Sequence, residues 1–330
     1  MIDYCNARRR TLTALLGGAL ASGLPFPPGV AVAQDYPARP VRVLVGFSAG
    51  GGVDALARTL SARLAEQLGQ NVIVENRPGA TSTIAANVLV SSAPDGYTVL
   101  LADSSLLIAA RAMQNLSFDP IKSFVPVAGV AIAPLAIAVA ADSPLRSLED
   151  MAKAAGSGQP LNYATSGIGT VHHLAMEHLQ ARANIRMTHV PYRGASALLP
   201  DLIGGQVPVG VLSAAAALGQ VKAGKIRVLG LTSADKLEGA SDWRAIADWL
   251  PGFDASPRLF VLAPSGTPAP IVTRLESEIG KALNDPALMR DLSKQGFVTT
   301  FRPAKELKGG MAEELERWTA LIQKSGITLK

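Results

Sequence analysis

Apolar residues along this chain fall into short runs that alternate with segments where they recur at helical spacing. Val41, Val43, Leu44 and Val45 form a strand broken only by Arg42, and a glycine-rich turn follows. From about Val53, Ala57, Leu60, Leu64 and Leu68 share one helical face, which Gly69 closes. The pattern repeats with a strand at 72–74, a helix at 84–90, a turn at Pro94-Asp95-Gly96 and a strand at 97–101. Further strands are predicted at 161–164, 187–190, 207–212, 227–232 and 259–263. Helices are predicted at 171–181, 197–203 and 215–222, and from Pro268 and Glu306 onward. Ser147 opens another, with Glu149 and Asp150 in its first turn, where carboxylates suit the helix dipole. The uncharged stretch 125–141 is interrupted by Pro126, Gly129 and Pro134, and so reads as two buried strands joined by a turn, not a membrane span. Repeated strand–helix units predict an α/β protein whose largely parallel sheets are covered on both faces. Two such sheets fit 330 residues better than one.

The front of the chain departs from this pattern. Arg8-Arg9-Arg10 precede an apolar stretch centred on 12–24, and Ala31-Val32-Ala33 supplies small residues at the positions a signal peptidase reads. Residues 1–33 are therefore expected to be a signal peptide cleaved near Ala33, leaving a soluble exported protein. Pro25, Pro27 and Pro28 break the stretch before it could serve as an anchor. Arg9-Arg10-Thr11-Leu12 faintly resembles a twin-arginine signal.

Composition then changes meaning. The pI near 9.4 reflects a net charge of only +5, which falls to +3 once the leader's three arginines and one aspartate are gone. No basic block remains and aromatic residues are 5% of the chain, which excludes nucleic-acid binding as the expected role. Cys5, the one cysteine, leaves with the leader, so the mature chain has neither a disulfide nor a thiol nucleophile.

On parallel sheets, ligands sit at the carboxyl ends of strands, which directs attention to the strand-to-helix turns. Two stand out: Gly46-Phe47-Ser48-Ala49-Gly50-Gly51-Gly52, ahead of the helix carrying Asp54, and Thr165-Ser166-Gly167-Ile168-Gly169-Thr170, ahead of His172 and His173. Glycines let amide groups turn inward and a helix N-terminus adds partial positive charge, so each turn can cradle a carboxylate or phosphate. Two such cradles in different lobes imply a cleft that closes on an anion.

Rival chemistries are weaker. Gly46-Phe47-Ser48-Ala49-Gly50 matches G-x-S-x-G, and a secreted serine hydrolase using Ser48 is the alternative reading. A hydrolase elbow follows several strands, however, and here all four histidines lie at 172–189, not near the C-terminus. His173 and His178 are five apart, off the i, i+4 spacing of a helical metal pair, and no H-E-x-x-H occurs, so no metal is expected. No G-x-G-x-x-G follows a strand, and no cofactor is expected.

A family resemblance rests on motifs in order along the whole mature chain. Tyr36-Pro37, Pro40-Val41-Arg42, Phe47, Gly50-Gly51, Asp54 and Ala57-Arg58 resemble the opening of tripartite tricarboxylate transporter substrate-binding proteins, the Bug receptors. So do Val74-Glu75-Asn76-Arg77-Pro78-Gly79-Ala80, Pro94-Asp95-Gly96-Tyr97-Thr98, Asp119-Pro120 and Leu161-Asn162-Tyr163. Ser166-Gly167-Ile168-Gly169-Thr170 with His173-Leu174, and His189-Val190-Pro191-Tyr192-Arg193-Gly194, continue the match. Asp201-Leu202-Ile203-Gly204-Gly205-Gln206-Val207 and Ala223-Gly224-Lys225-Ile226-Arg227 complete it.

The resemblance implies an α/β, two-lobed periplasmic binding protein of type II-like architecture, each lobe a mostly parallel sheet flanked by helices, with a hinge between. It implies a periplasmic receptor, not an enzyme, that captures a di-, tri- or aromatic carboxylate and hands it to the membrane permease subunits of a tripartite tricarboxylate-type transporter. Some such receptors instead signal through a membrane partner. A monomer is expected. The resemblance places the ligand at Phe47, Ser48, Ala49, Gly50, Gly51, Gly52 and Asp54 in one lobe and at Ser166, Gly167, Gly169, Thr170 and His173 in the other. Hydroxyls of Ser48, Ser166 and Thr170 are expected as added donors, and Ser104 and Tyr192 as further lining. Lobe 1 is expected to comprise 34–137 and 258–330, lobe 2 residues 138–257, with hinge crossings near 136–138 and 256–258. Gly46 and Ala49 stand where the family usually has proline, Thr81-Ser82 where it has Gly-Gly, and 208–213 lacks the family's acidic residues. The segment 235–250 follows the family poorly. Without those acids, an ammonium-bearing ligand is less favoured than a plain or aromatic carboxylate.

Overall fold

The computed structural model describes residues 36–112, 116–235, 237 and 239–325; the expected leader, with its cleavage site, lies outside them. The first part of the chain runs β1 (Val41–Val45), α1 (Gly52–Leu68), β2 (Val72–Asn76), α2 (Thr83–Val90), β3 (Thr98–Asp103), α3 (Ser104–Ala112) and β4 (Phe124–Ile132). The middle part runs β5 (Leu135–Ala140), α4 (Leu148–Ala155), β6 (Asn162–Thr165), α5 (Val171–Ala183), β7 (Thr188–Pro191), α6 (Ala195–Ile203), β8 (Val209–Ser213), α7 (Ala214–Lys222) and β9 (Ile226–Leu231). The chain ends with β10 (Arg258–Pro264), α8 (Ala269–Leu283), α9 (Pro286–Lys294), β11 (Val298–Pro303) and α10 (Ala304–Ser325).

These strands form a six-stranded sheet, β11-β4-β10-β3-β1-β2, and a five-stranded sheet, β7-β6-β8-β5-β9. The sheets are mixed where largely parallel ones were expected. β1 pairs in parallel with β2 and β3, and β6 with β7 and β8. β10 runs antiparallel to β3 and β4, and β5 to β8 and β9. β5 and β10 are the strands entered from the crossings between the sheets, so their direction follows from the crossings and not from local sequence, while β11 adds antiparallel to β4 at the sheet's edge.

Beneath the mixture lies one repeated plan. β1-α1-β2-α2-β3-α3 builds the order β2-β1-β3, and β6-α5-β7-α6-β8-α7 builds β7-β6-β8. In each, the first strand is central, the second adds on one side and the third on the other. The order reverses between β1 and β3 and between β6 and β8, which creates a crevice at the strands' carboxyl ends.

Both faces of each sheet are covered, as the apolar runs require. Val41, Val43 and Val45 point into a core with Leu56, Leu60 and Leu64 of α1 and Leu275 and Ile279 of α8. Leu44 and Leu100 face the other side, with Leu89, Leu106 and Leu107. Each such leucine contributes about 1.5–3 kcal/mol by leaving water. The second sheet is sandwiched likewise, with Leu174 and Leu179 of α5 on one face and Leu198 and Leu202 of α6 on the other.

The first crossing is Ala133-Pro134, not 136–138 as expected, because Ala136, Ile137 and Ala138 are already paired within β5. It is pinned by the Ala133 amide donating to Pro257 O at 2.8 Å and the Ala214 amide to Pro134 O at 2.8 Å. The chain returns to the first sheet ahead of β10, where the Arg258 amide donates to Ser104 Oγ at 2.9 Å. Helix α10 runs across both halves. Leu307, Met311 and Leu315 fill the first sheet's core, and Trp318 and Ile322 the second's. Replacing Trp318, 2% exposed, with alanine should cost about 3–5 kcal/mol, read as a lower urea midpoint for global unfolding.

Candidate functional site

The turn at 46–52 leaves β1 at the first crevice, and its shape is set from below by Asp54. That side chain is buried in the first turn of α1, where its Oδ2 accepts from the Gly50 amide at 2.9 Å and Arg58 Nε at 3.0 Å. Its Oδ1 accepts from Asn76 Nδ2 at 2.9 Å, and the same amide group donates to Phe47 O at 3.1 Å. Gly50, at φ +81°, takes a backbone conformation that suits glycine, and the Gly51 amide donates to Ser48 O at 3.3 Å. Phe47 packs against the first core, while Ser48, Ala49, Gly50 and Gly51 are exposed and Gly52 is half-buried. Asp54 is thus a brace under the turn, and the Gly50 amide is engaged with it and not turned outward as a donor. Burial works to raise the Asp54 pKa, but hydrogen bonds from Arg58, the Gly50 amide and Asn76, with the Arg58 charge, hold it below its ordinary value.

The topologically equivalent turn at 166–170 is also tied internally. Thr170 caps α5: its Oγ1 accepts from the His173 amide at 3.3 Å and donates to Gly167 O at 2.9 Å. The Gly169 amide donates to His173 Nδ1 at 3.1 Å, which leaves the neutral ring's proton on Nε2, 3.8 Å from Glu177 Oε1. Ser166 Oγ pairs with His172 Nδ1 at 3.0 Å. The hydroxyls of Ser166 and Thr170 and the Gly169 amide, all expected as outward donors, therefore hold the turn's own shape. Gly167, at φ +138°, lets the backbone pass beside Tyr192 O, and Ile168 stands 53% exposed at the tip.

Behind this turn lies a stack of rings. His173 and His189 lie 3.8 Å apart, and Tyr163 covers His189 at 5.0 Å. His189 Nε2 pairs with Thr165 Oγ1 at 2.7 Å, and Tyr163 donates to Glu177 Oε1 at 2.6 Å. Burial depresses both imidazoles to about 4, and the His173 charge adds to the effect on His189. His178 stacks on Phe253 elsewhere. The described residues contain no group of three or more His, Cys, Asp or Glu side chains placed to hold a metal.

Two residues expected to line the site are otherwise engaged. Ser104 is wholly buried, donating to Glu314 Oε1 while accepting from the Arg258 amide, so its hydroxyl braces the return crossing against α10. Tyr192 is half-buried. Its amide donates to Thr165 O at 2.9 Å and its hydroxyl to Asp201 Oδ2 at 2.6 Å. The turn that sequence reasoning missed is the one after β8. Ser213 caps α7 by accepting from the Ala216 amide at 3.2 Å, and the Ala215 methyl lies 4.0 Å from where a Cβ on Gly52 would stand. The start of α7 therefore meets the end of the 46–52 turn. The signal for it was the cap-like serine before Ala214-Ala215-Ala216. Ser48 makes no hydrogen bond to a histidine among the described residues, and nothing in the geometry supports it as a nucleophile.

Residues 56–327 match the model of the family described as "Tripartite tricarboxylate transporter family receptor". The chain belongs to this receptor family. Among its relatives, the "UPF0065 protein in tcbD-tcbE intergenic region" of Pseudomonas sp. (strain P51) is 36% identical over 290 residues, 87% of this chain and 86% of the relative. The solved structure "R. palustris Rpa4515 with adipate" superposes with a TM-score of 0.81 at 30% identity, covering 89% of this chain and 99% of that one. The structure of the periplasmic binding protein BugD gives 0.79 at 27% identity, covering 89% and 100%. The Bug-type receptor and its two-lobed binding-protein fold are thereby shown. The family match starts inside α1, so it includes the 166–170 turn and leaves the 46–52 turn just outside.

Two pH dependences follow for this receptor. Asp54, whose folded pKa lies below its ordinary 3.8, adds stability above that value and loses it as pH falls through the folded value. Urea unfolding should show Asp54→Ala less stable than wild type at neutral pH, with the gap narrowing as pH falls below the ordinary 3.8 of the carboxyl. His173 and His189 follow the same sign from a different cause, burial that disfavours their charged forms. Their unfolded forms take up protons near 6.5 while the folded forms wait until about 4, so stability falls as pH drops through that window. His189→Phe should flatten this slope; an unchanged slope would contradict the assignment.

Proposed function

We propose that the protein is a periplasmic receptor that captures a small carboxylate-bearing solute between its two lobes and delivers it to the membrane permease of a tripartite tricarboxylate-type transporter. The observation that carries this reading is the pair of equivalent strand-to-helix turns, one at each crevice, with helix starts converging on them. Neither 46–52 nor 165–170 contains a lysine or arginine, so attraction for an anion comes from amide groups and helix N-termini. Internal hydrogen bonds engage the Gly50 and Gly51 amides on one side and those of Gly167 and Gly169 on the other, which leaves Ser48, Ala49 and the backbone at Ile168, with the first amides of α1 and α5, as donors. That a relative was solved with adipate supports a dicarboxylate as the first ligand to try.

The lobe containing the six-stranded sheet takes 36–132 and 258–325, the other lobe the residues between, and both crossings act as the hinge. Ligand contacts made to both lobes at once favour closure. The leader carries the chain to the periplasm, where the mature protein acts as a soluble monomer; no helix among the described residues is long and apolar enough to cross a membrane. The receptor performs no catalysis.

A thermal-shift panel of mono-, di-, tri- and aromatic carboxylates tests the reading. A ligand at about a hundred times its Kd adds about 2.7 kcal/mol and should raise the melting temperature by several degrees. No shift from any carboxylate would sink the carboxylate receptor, and aryl-ester turnover abolished by Ser48→Ala would establish catalysis instead.

A further inference from the structure

The turn between α9 and β11 lies where the two halves of the molecule meet. Gly296 sits there with φ +84°, and a Cβ on it would stand 2.6 Å from the Ala215 nitrogen and 2.8 Å from Ala215 Cα. Both are backbone atoms at the start of α7, in the other half, so they cannot yield as a side-chain tip would. The next residue, Phe297, is buried in the first core, with Cζ 3.5 Å from the position of a Cβ on Gly52. Val298 pairs with Ile132 at the end of β4 and packs against the second sheet's core. Ala214, beside Ala215, donates to Pro134 O in the first crossing. Three successive residues thus connect the end of the 46–52 turn, the start of α7 and the pivot.

We propose that Gly296 is a positioning residue for ligand capture: its bare backbone is the seat on which the start of α7 docks when the cleft closes, and a side chain there wedges the cleft open. The inference rests on the receptor reading above. The seat lies beside the crossing, so a displacement of an ångström there is magnified along the lobe to the far rim. A ligand that must touch both turns then loses one of them. Packed interfaces resist such displacement instead of deforming smoothly. The observed affinity falls in proportion to the fraction of molecules still able to close.

The test compares wild type with Gly296→Ala, Gly296→Val and a control, Gly224→Ala. Gly224 has a similar positive φ of +66° but nothing within 4 Å of its Cβ position, so the control carries the backbone strain without the seat. Small-angle scattering without ligand should give a larger radius of gyration for the Gly296 variants than for wild type or control, and the valine the largest. Calorimetry with adipate as the probe should show affinity reduced about tenfold or more in the Gly296 variants and unchanged in the control. Wild-type dimensions and affinity in Gly296→Ala would overturn the proposal, as would an equal loss in the control. Should the valine variant not fold, the alanine variant decides. Should wild type bind no adipate or other carboxylate, the receptor reading fails, and the scattering comparison still decides whether Gly296 is the seat.

Discussion

The first amide groups of an α-helix have no partner within the helix, and a parallel strand followed by a helix delivers them to the strand's carboxyl end. This constraint shapes the molecule twice over. β1, β2 and β3 lead into α1, α2 and α3, and β6, β7 and β8 into α5, α6 and α7, so each sheet gathers three helix starts along one edge. The antiparallel strands, the shared helix α10 and the crossings serve to hold these two edges in one molecule. An anion site then needs no charged side chain, only turns that keep their amide groups in place.

Keeping them in place consumes many of the polar groups nearby. Asp54 and Asn76 brace one turn; Thr170, His173 and His172 brace the other. The buried histidines stay neutral at physiological pH, as befits groups whose role is to accept and donate specific hydrogen bonds. Such pre-organisation lowers the ordering cost that a ligand would otherwise meet on binding.

Much of this was legible in the sequence. Strands β1, β3 and β5 and helices α1 and α5 follow from apolar runs and 3.6-residue spacing, and both candidate turns were marked by glycines between a strand and a helix. Helix α3 was missed because it starts directly from β3, with no turn residue to separate Asp103 from Ser104. Strand β11 was missed because Thr299, Thr300 and Arg302 sit on a half-exposed sheet edge and lack an apolar signature. Donor identities were harder still. Whether Thr170 faces a ligand or caps its own helix depends on a side-chain rotation that spacing does not encode. The location of the crossing likewise depends on how β5 registers with β8, a long-range pairing.

Helix α10 bears on how such receptors can be recombined. The segment between the crossings looks like a module that could be exchanged between receptors to transplant binding preference. Trp318 and Ile322 belong to that segment's core yet are encoded some sixty residues beyond its end. A chimera cut only at the crossings would therefore inherit a mismatched hydrophobic plug. Swaps that carry the last turns of α10 along with residues 135–256 keep the plug and its socket of one parentage, and natural exchange between related genes faces the same linkage.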